Sequence, residues 1–149
     1  MTRKMKALVG LLLIAAMQMA MVFGANAADL NVTEIGIGID EEGIDPQYIG
    51  SCPYGDKHQM SGKGTGLAYY GSAGSTDLRI SGTASQCRNC NLVLITQNNP
   101  FMVGVTWGKY ATWNPGYQVN SGVVKMYTTS FGTATSLNDP YVQGFNFGR

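Results

Sequence analysis

From Cys52 onward, glycine interrupts the chain every few residues, at Gly62, Gly64, Gly66, Gly71, Gly74 and Gly82. Glycine loses more freedom on folding than any other residue, so this density opposes helix and suits short strands joined by tight turns. Between the breaks lie runs rich in β-favouring residues: Leu67 to Tyr70, Asp77 to Ile80, Leu92 to Thr96, Phe101 to Trp107, Val123 to Thr128 and Tyr141 to Phe147. Leu92 to Ile95 is continuously apolar, which predicts a strand buried on both faces. Val123, Lys125 and Tyr127 alternate with Val124, Met126 and Thr128, the pattern of a strand with one wet face. Asn98-Asn99-Pro100 and Asn114-Pro115-Gly116 read as turns, because asparagine tolerates left-handed geometry and proline ends pairing. Thr128 to Ser136, rich in Ser, Thr and Gly, is compatible with a loop or one more exposed strand. Helical periodicity is not sustained after the N-terminus. The expectation is an all-β domain over residues 51–149, built of about five to seven short antiparallel strands.

The first 27 residues have a different character. Arg3, Lys4 and Lys6 precede an apolar run from Ala7 to Gly24, and Ala25-Asn26-Ala27 supplies small residues at its end. Charged, apolar and small-residue regions in that order form a secretory signal pattern. A single membrane anchor is the rival reading, but the run is at the short edge of what spans a bilayer and a cleavage site follows it directly. Residues 1–27 are therefore set aside as a signal peptide, and the protein is expected to be secreted or held at the cell surface. No second apolar run approaches spanning length, so no membrane span is expected after cleavage. Cleavage after Ala27 would leave about 120 residues, enough for one domain with a modest core. Asn31-Val32-Thr33 fits the glycosylation sequon, which matters only in a eukaryotic secretory pathway.

Charge is distributed unevenly along the remainder. Residues 28–50 form an acidic segment carrying Asp29, Glu34, Asp40, Glu41, Glu42 and Asp45 with no Lys or Arg. It reads either as an extended tail on the basic body or as an edge strand, around Ile35, Ile37 and Ile39, followed by a loop. Its spacing does not match a calcium-binding loop. The basic residues that follow are scattered singly, without the stripe a nucleic-acid partner needs.

Three cysteines and the single histidine fall in two short segments, Cys52 to His58 and Cys87-Arg88-Asn89-Cys90. A cysteine pair two residues apart, in a turn that leads into an apolar strand, lets both thiolates face one tetrahedral metal while turn amides hydrogen-bond the sulfurs. The segment resembles one knuckle of a zinc ribbon, and Cys52-Pro53 resembles the opening of another. What the resemblance implies is a structural zinc ion held by Cys52, His58, Cys87 and Cys90. The departure is the five residues between Cys52 and His58, where two to four are usual. The competing reading is a disulfide from Cys52 to Cys87 or Cys90, closing a loop of roughly 35 residues and contributing ~3–4 kcal/mol. The odd number of cysteines favours metal, because a disulfide would strand one thiol in oxidising surroundings. A redox pair is disfavoured, since a strand rather than a helix follows Cys90.

Trp107, Tyr110, Trp113 and Tyr117 crowd a turn-rich stretch and could form a platform for sugars or peptide side chains. Against that, a chain this rich in glycine needs large rings to fill its core, which would claim Trp107 and Tyr110. Gly62-Lys63-Gly64-Thr65-Gly66 contains the residue types of a phosphate loop without its spacing or its helix, and reads as a flexible turn. The leading expectation is a non-enzymatic domain that binds an extracellular peptide, glycan or protein. The alternatives are a small secreted effector such as a bacteriocin or toxin, and a thiol-dependent enzyme.

Overall fold

A computed structural model describes residues 32–35 and 51–148. Residues 1–27, expected to be a signal peptide, and most of the acidic segment lie outside the described residues. Eight strands run in chain order as β1 (Val32–Ile35), β2 (His58–Tyr70), β3 (Leu78–Cys87), β4 (Val93–Thr96), β5 (Gly108–Trp113), β6 (Gly122–Thr128), β7 (Phe131–Ala134) and β8 (Phe145–Asn146). One helical turn, α1 (Pro140–Gln143), stands between the last two. It starts where Pro140 presets the backbone and the Asp139 carboxylate accepts from the Tyr141 N–H. The all-β expectation holds. Among the described residues no helix is long and apolar enough to cross a membrane.

The spatial order is β1-β6-β2-β3-β4-β5-β7, with β8 beside the start of β2. The sheet is mixed rather than wholly antiparallel. Strands β2, β3, β4, β5 and β7 pair antiparallel, whereas β6 lies parallel to β2, β1 parallel to β6, and β8 parallel to β2. The parallel strand β6 follows a crossover through residues 114–121. Gln86 pins this connection: its amide donates to the carbonyls of Tyr117 and Asn91, and its oxygen accepts from the Val119 N–H.

This order forces the sheet to roll. Strands β6 and β7 are five positions apart, which on a flat sheet is about 24 Å. Yet β6 ends at Thr128 and β7 begins at Phe131, a reach of at most about 11 Å. The sheet must curl until those strands come together. The inner face of the roll is lined by Ala68, Ile80, Ala84, Val93, Ile95, Ala111, Val119, Val124 and Met126. Tight curvature explains the alanines. It also explains Gly66, where an added Cβ would stand 2.7 Å from Cγ2 of Ile95.

A second core lies on the outer face. There Met60, Leu94, Trp107, Tyr110 and the sulfur residues are covered by Val142, Phe145 and Phe147 of the C-terminal segment. Strand β4 feeds both layers, with Val93 and Ile95 inward and Leu94 outward, all fully buried. The continuous apolar run thus has the structural meaning expected of it. Strand β2 feeds both layers differently. Met60 and Ala68 are eight residues apart and would share a face in a regular strand. A bulge between Gly62 and Gly64 inserts Lys63 as an extra residue, so Met60 points outward and Ala68 inward.

Three local expectations are corrected. Gly62 to Gly66 is not a flexible turn but the middle of a 13-residue strand, its glycines allowing close approach of neighbouring strands. Phe101 to Trp107 is not a strand. Pro100 starts a turn in which Asn99 Oδ1 accepts from the Phe101 N–H, and Gly104 adopts a φ of 76°. Tyr141 to Phe147 divides into α1 and the short β8. Of the acidic segment, Val32–Ile35 is an edge strand on β6, as one of its two readings expected.

Candidate metal centre

Four side chains from two separate segments meet where β2 begins and β3 ends. Cys52 opens a turn that starts with Pro53 and closes with the Gly55 N–H donating to the Cys52 carbonyl. His58 is the first residue of β2. Its N–H donates to the Gly144 carbonyl, and its ring stacks on Phe145 at 4.7 Å. Cys87 ends β3 directly opposite Met60, and Cys90 closes the following turn. That turn is drawn tight by the Asn91 N–H donating to the Cys87 carbonyl and the Cys87 N–H donating to the Leu92 carbonyl. Asn91 has a φ of 66°, and among the described residues no other non-glycine residue has positive φ. Asparagine tolerates this left-handed geometry, whose cost is otherwise met only at glycine.

The donor atoms of Cys52, His58, Cys87 and Cys90 all lie within 4.8 Å of one another, and every one of the four residues is buried. His58 Nδ1 is 3.2 Å from Cys90 Sγ, and Cys52 Sγ is 3.9 Å from Cys87 Sγ. All three cysteines are free thiols, so the disulfide alternative is not formed. The long Cys52–His58 spacing does not keep His58 out of the group.

The electrostatics suit a cation. Burial acts to raise the Cys87 thiol, but the backbone N–H groups of Cys90 and Asn89, together with neighbouring thiols, bond its sulfur and hold it below the ordinary thiol range. Burial, reinforced by Cys87, pushes Cys90 up to about 12, against a backbone bond from Leu92. Burial lowers His58, keeping the ring neutral as a metal ligand must be. The far ring nitrogen, Nε2, is buried without a hydrogen-bond partner. The group is therefore a closed Cys₃His set able to hold a metal ion. All three cysteines are buried.

The four aromatics singled out in the sequence are not brought together as a surface. Trp107 is fully buried, edge-on to Tyr110 at 5.5 Å and to Phe145 at 5.0 Å. Tyr110 is buried beside it, over Gly132, where any side chain would collide with its ring. Trp113 is half-buried against the inner core, and Tyr117 alone of the four is exposed. A cleft that the sequence reading missed lies at one mouth of the roll, lined by Tyr70, Arg79, Lys109, Phe131 and Thr133. These residues come from four strands, and no local pattern joins them. No family model, no curated protein and no solved structure matches this chain.

Proposed function

We propose that this chain is a secreted or cell-surface, non-enzymatic β domain, held in shape by a structural zinc ion and acting by binding an extracellular peptide, glycan or protein. The observation that carries the metal part is the convergence of four buried donors from two distant segments. A tetrahedral zinc with Zn–S bonds of 2.3 Å spaces its sulfurs about 3.8 Å apart and a sulfur and nitrogen about 3.5 Å apart. The 3.9 Å and 3.2 Å separations are close to those values. The widest pair, within 4.8 Å, needs to contract by about 1 Å. Soft thiolates with one imidazole select zinc among common divalent ions, and a closed set of four favours a structural role. Amides already aimed at the Cys87 sulfur supply the outer support such a site needs.

Support for export is the N-terminal signal pattern, and support for binding is the cleft lined by Tyr70, Lys109 and Phe131. Mass spectrometry of the mature protein tests the reading. The expected result is a chain beginning at Ala28, carrying one zinc under native conditions and three unmodified thiols when denatured. A mapped disulfide, or protein purified without chelator that holds no zinc, would overturn the metal assignment.

A further inference from the structure

The rolled sheet has an open mouth at the end of β2 and the start of β3, the strand ends away from the sulfur cluster. It encloses a cleft of about 310 Å³, within the lower range of small-ligand sites, and barrel mouths are common places for them. Tyr70 and Phe131 form an aromatic wall, their rings 6.1 Å apart. On β5 and β7, Lys109 stands directly opposite Thr133, and Phe131 opposite Ala111. Ala111 belongs to the inner core, so alternation turns Lys109, Phe131 and Thr133 toward the interior of the roll.

Arg79 joins them by a backbone irregularity. Between the pairs Ala68–Ile80 and Tyr69–Leu78, strand β3 holds one extra residue, which is Arg79. A bulge of this kind re-aims a side chain. The guanidinium carbon lies 5.3 Å from the Tyr70 ring centre, and Asp77 accepts from Arg79 at 2.6 Å. Asp77 and Arg79 form the only ion pair among the described residues, so Lys109 enters the cleft with no carboxylate partner among them. Among the described residues, no carboxylate lines the cavity.

We infer that this mouth is a binding site for an acidic saccharide, a pyranose ring that bears a carboxylate. The inference rests on the binding role proposed above and is independent of the zinc site. The flat apolar face of the ring would lie on Tyr70 or Phe131. Its carboxylate would pair with Lys109 and reach Arg79. Thr129, Thr133 and the edge of β7 left unpaired among the described residues offer hydroxyl and backbone partners for sugar hydroxyls, which a plain aromatic acid could not use.

The test is calorimetric titration of the full mature protein with a uronic-acid disaccharide, a matched neutral disaccharide and benzoate, with zinc content measured on the same sample. The uronic disaccharide should bind, the neutral sugar and benzoate at least tenfold more weakly. Lys109→Gln should weaken binding roughly tenfold, the effect of removing one charge-assisted bond. Tyr70→Ala should weaken it by a similar factor, while Lys57→Gln, outside the cleft, should change nothing. Equal binding of the neutral sugar, equal or tighter binding of benzoate, an unaltered Lys109→Gln protein, or no heat at millimolar ligand would each overturn the assignment. Zinc-loaded protein that ignores the acidic sugar removes this site alone. Zinc-free protein that still binds it removes the metal reading alone.

Discussion

Replacing Gly66 with alanine tests whether the sheet rolls as tightly as its connections require. An alanine Cβ there would meet Ile95 Cγ2 at 2.7 Å, Ile95 Cγ1 at 2.9 Å and the Ala84 nitrogen at 3.1 Å. Carbon atoms pack at about 3.5–4.0 Å, so the overlap approaches 1 Å against two atoms at once. Ile95 cannot easily retreat. It is β-branched and fully buried, its strand is paired on both edges, and Ala84 lies on the neighbouring strand. Overpacking of this kind costs about 1–3 kcal/mol. Gly66 does not have positive φ, so alanine regains roughly 0.5–1 kcal/mol through a less flexible unfolded chain. The expected net loss is about 1–2 kcal/mol, or roughly 5–15 °C in melting temperature for a domain of this size. Circular dichroism of zinc-loaded protein would measure it. Ile95→Ala alone should destabilise by about 2–5 kcal/mol, and in the double variant the new methyl should occupy part of the vacated space. The two effects should then sum to less than their separate values by at least about 0.5 kcal/mol. A Gly66→Ala protein that melts at or above the parent temperature would refute the rolled interior.

Other outcomes follow from the knuckle and its ligands. Asn91→Gly should be near neutral, because glycine accepts a φ of 66° and the lost bond to Gln118 is exposed. Asn91→Val should cost about 1–3 kcal/mol and weaken zinc retention, measured by competition with a chromogenic chelator. Apparent zinc affinity should rise with pH, roughly tenfold per unit for each proton released, because Cys90, held near 12, must lose its proton to ligate. The metal-free protein should lose stability as pH falls below the ordinary histidine value of 6.5. There the unfolded His58 gains a proton that the buried ring, with its lowered pKa, resists. Unchanged melting between pH 7 and 5 in a His58→Gln control, beside a falling wild type, isolates that contribution.

How much of this could be read in the chain depends on the range of the interactions involved. Strand β4 announced itself because burial on both faces leaves a local mark, four apolar residues in a row. The sulfur group was visible because metal ligands need rare residue types, and three cysteines with one histidine leave few combinations. The glycines of β2 misled because the pattern of a turn and the pattern of a strand under close approach are the same residues. Only the position of Ile95 across the roll separates the two. Trp107 was equally ambiguous, since its ring belongs to whichever face the C-terminal segment covers. The mouth cleft left no trace because Tyr70, Arg79, Lys109 and Phe131 are joined by the register of four strands and by one bulge.

The two cores would not depend equally on the proposed metal. The inner core is held by strand pairing around the roll and includes none of the four ligands. The outer core is closed by α1 and β8, four and two residues long, and elements so short have no stability of their own. Their attachment to the sheet is concentrated at His58 and Gln59. The His58 N–H bonds Gly144, the His58 ring stacks on Phe145, and Gln59 accepts from Asn146. An ion on His58 Nδ1 would fix the ring that Phe145 rests on, and Phe145 in turn carries the edge of Trp107. Chelation should therefore loosen the cover before it opens the roll. Hydrogen exchange should accelerate at residues 144–146, at His58 and at Arg88, whose N–H donates to Gln59. Protection at Ala84, Ile95 and Ala111 should remain close to that of the zinc-bound protein. Uniform loss of protection across both layers would mean that the ion supports the whole sheet, and the separation of the two cores would fail.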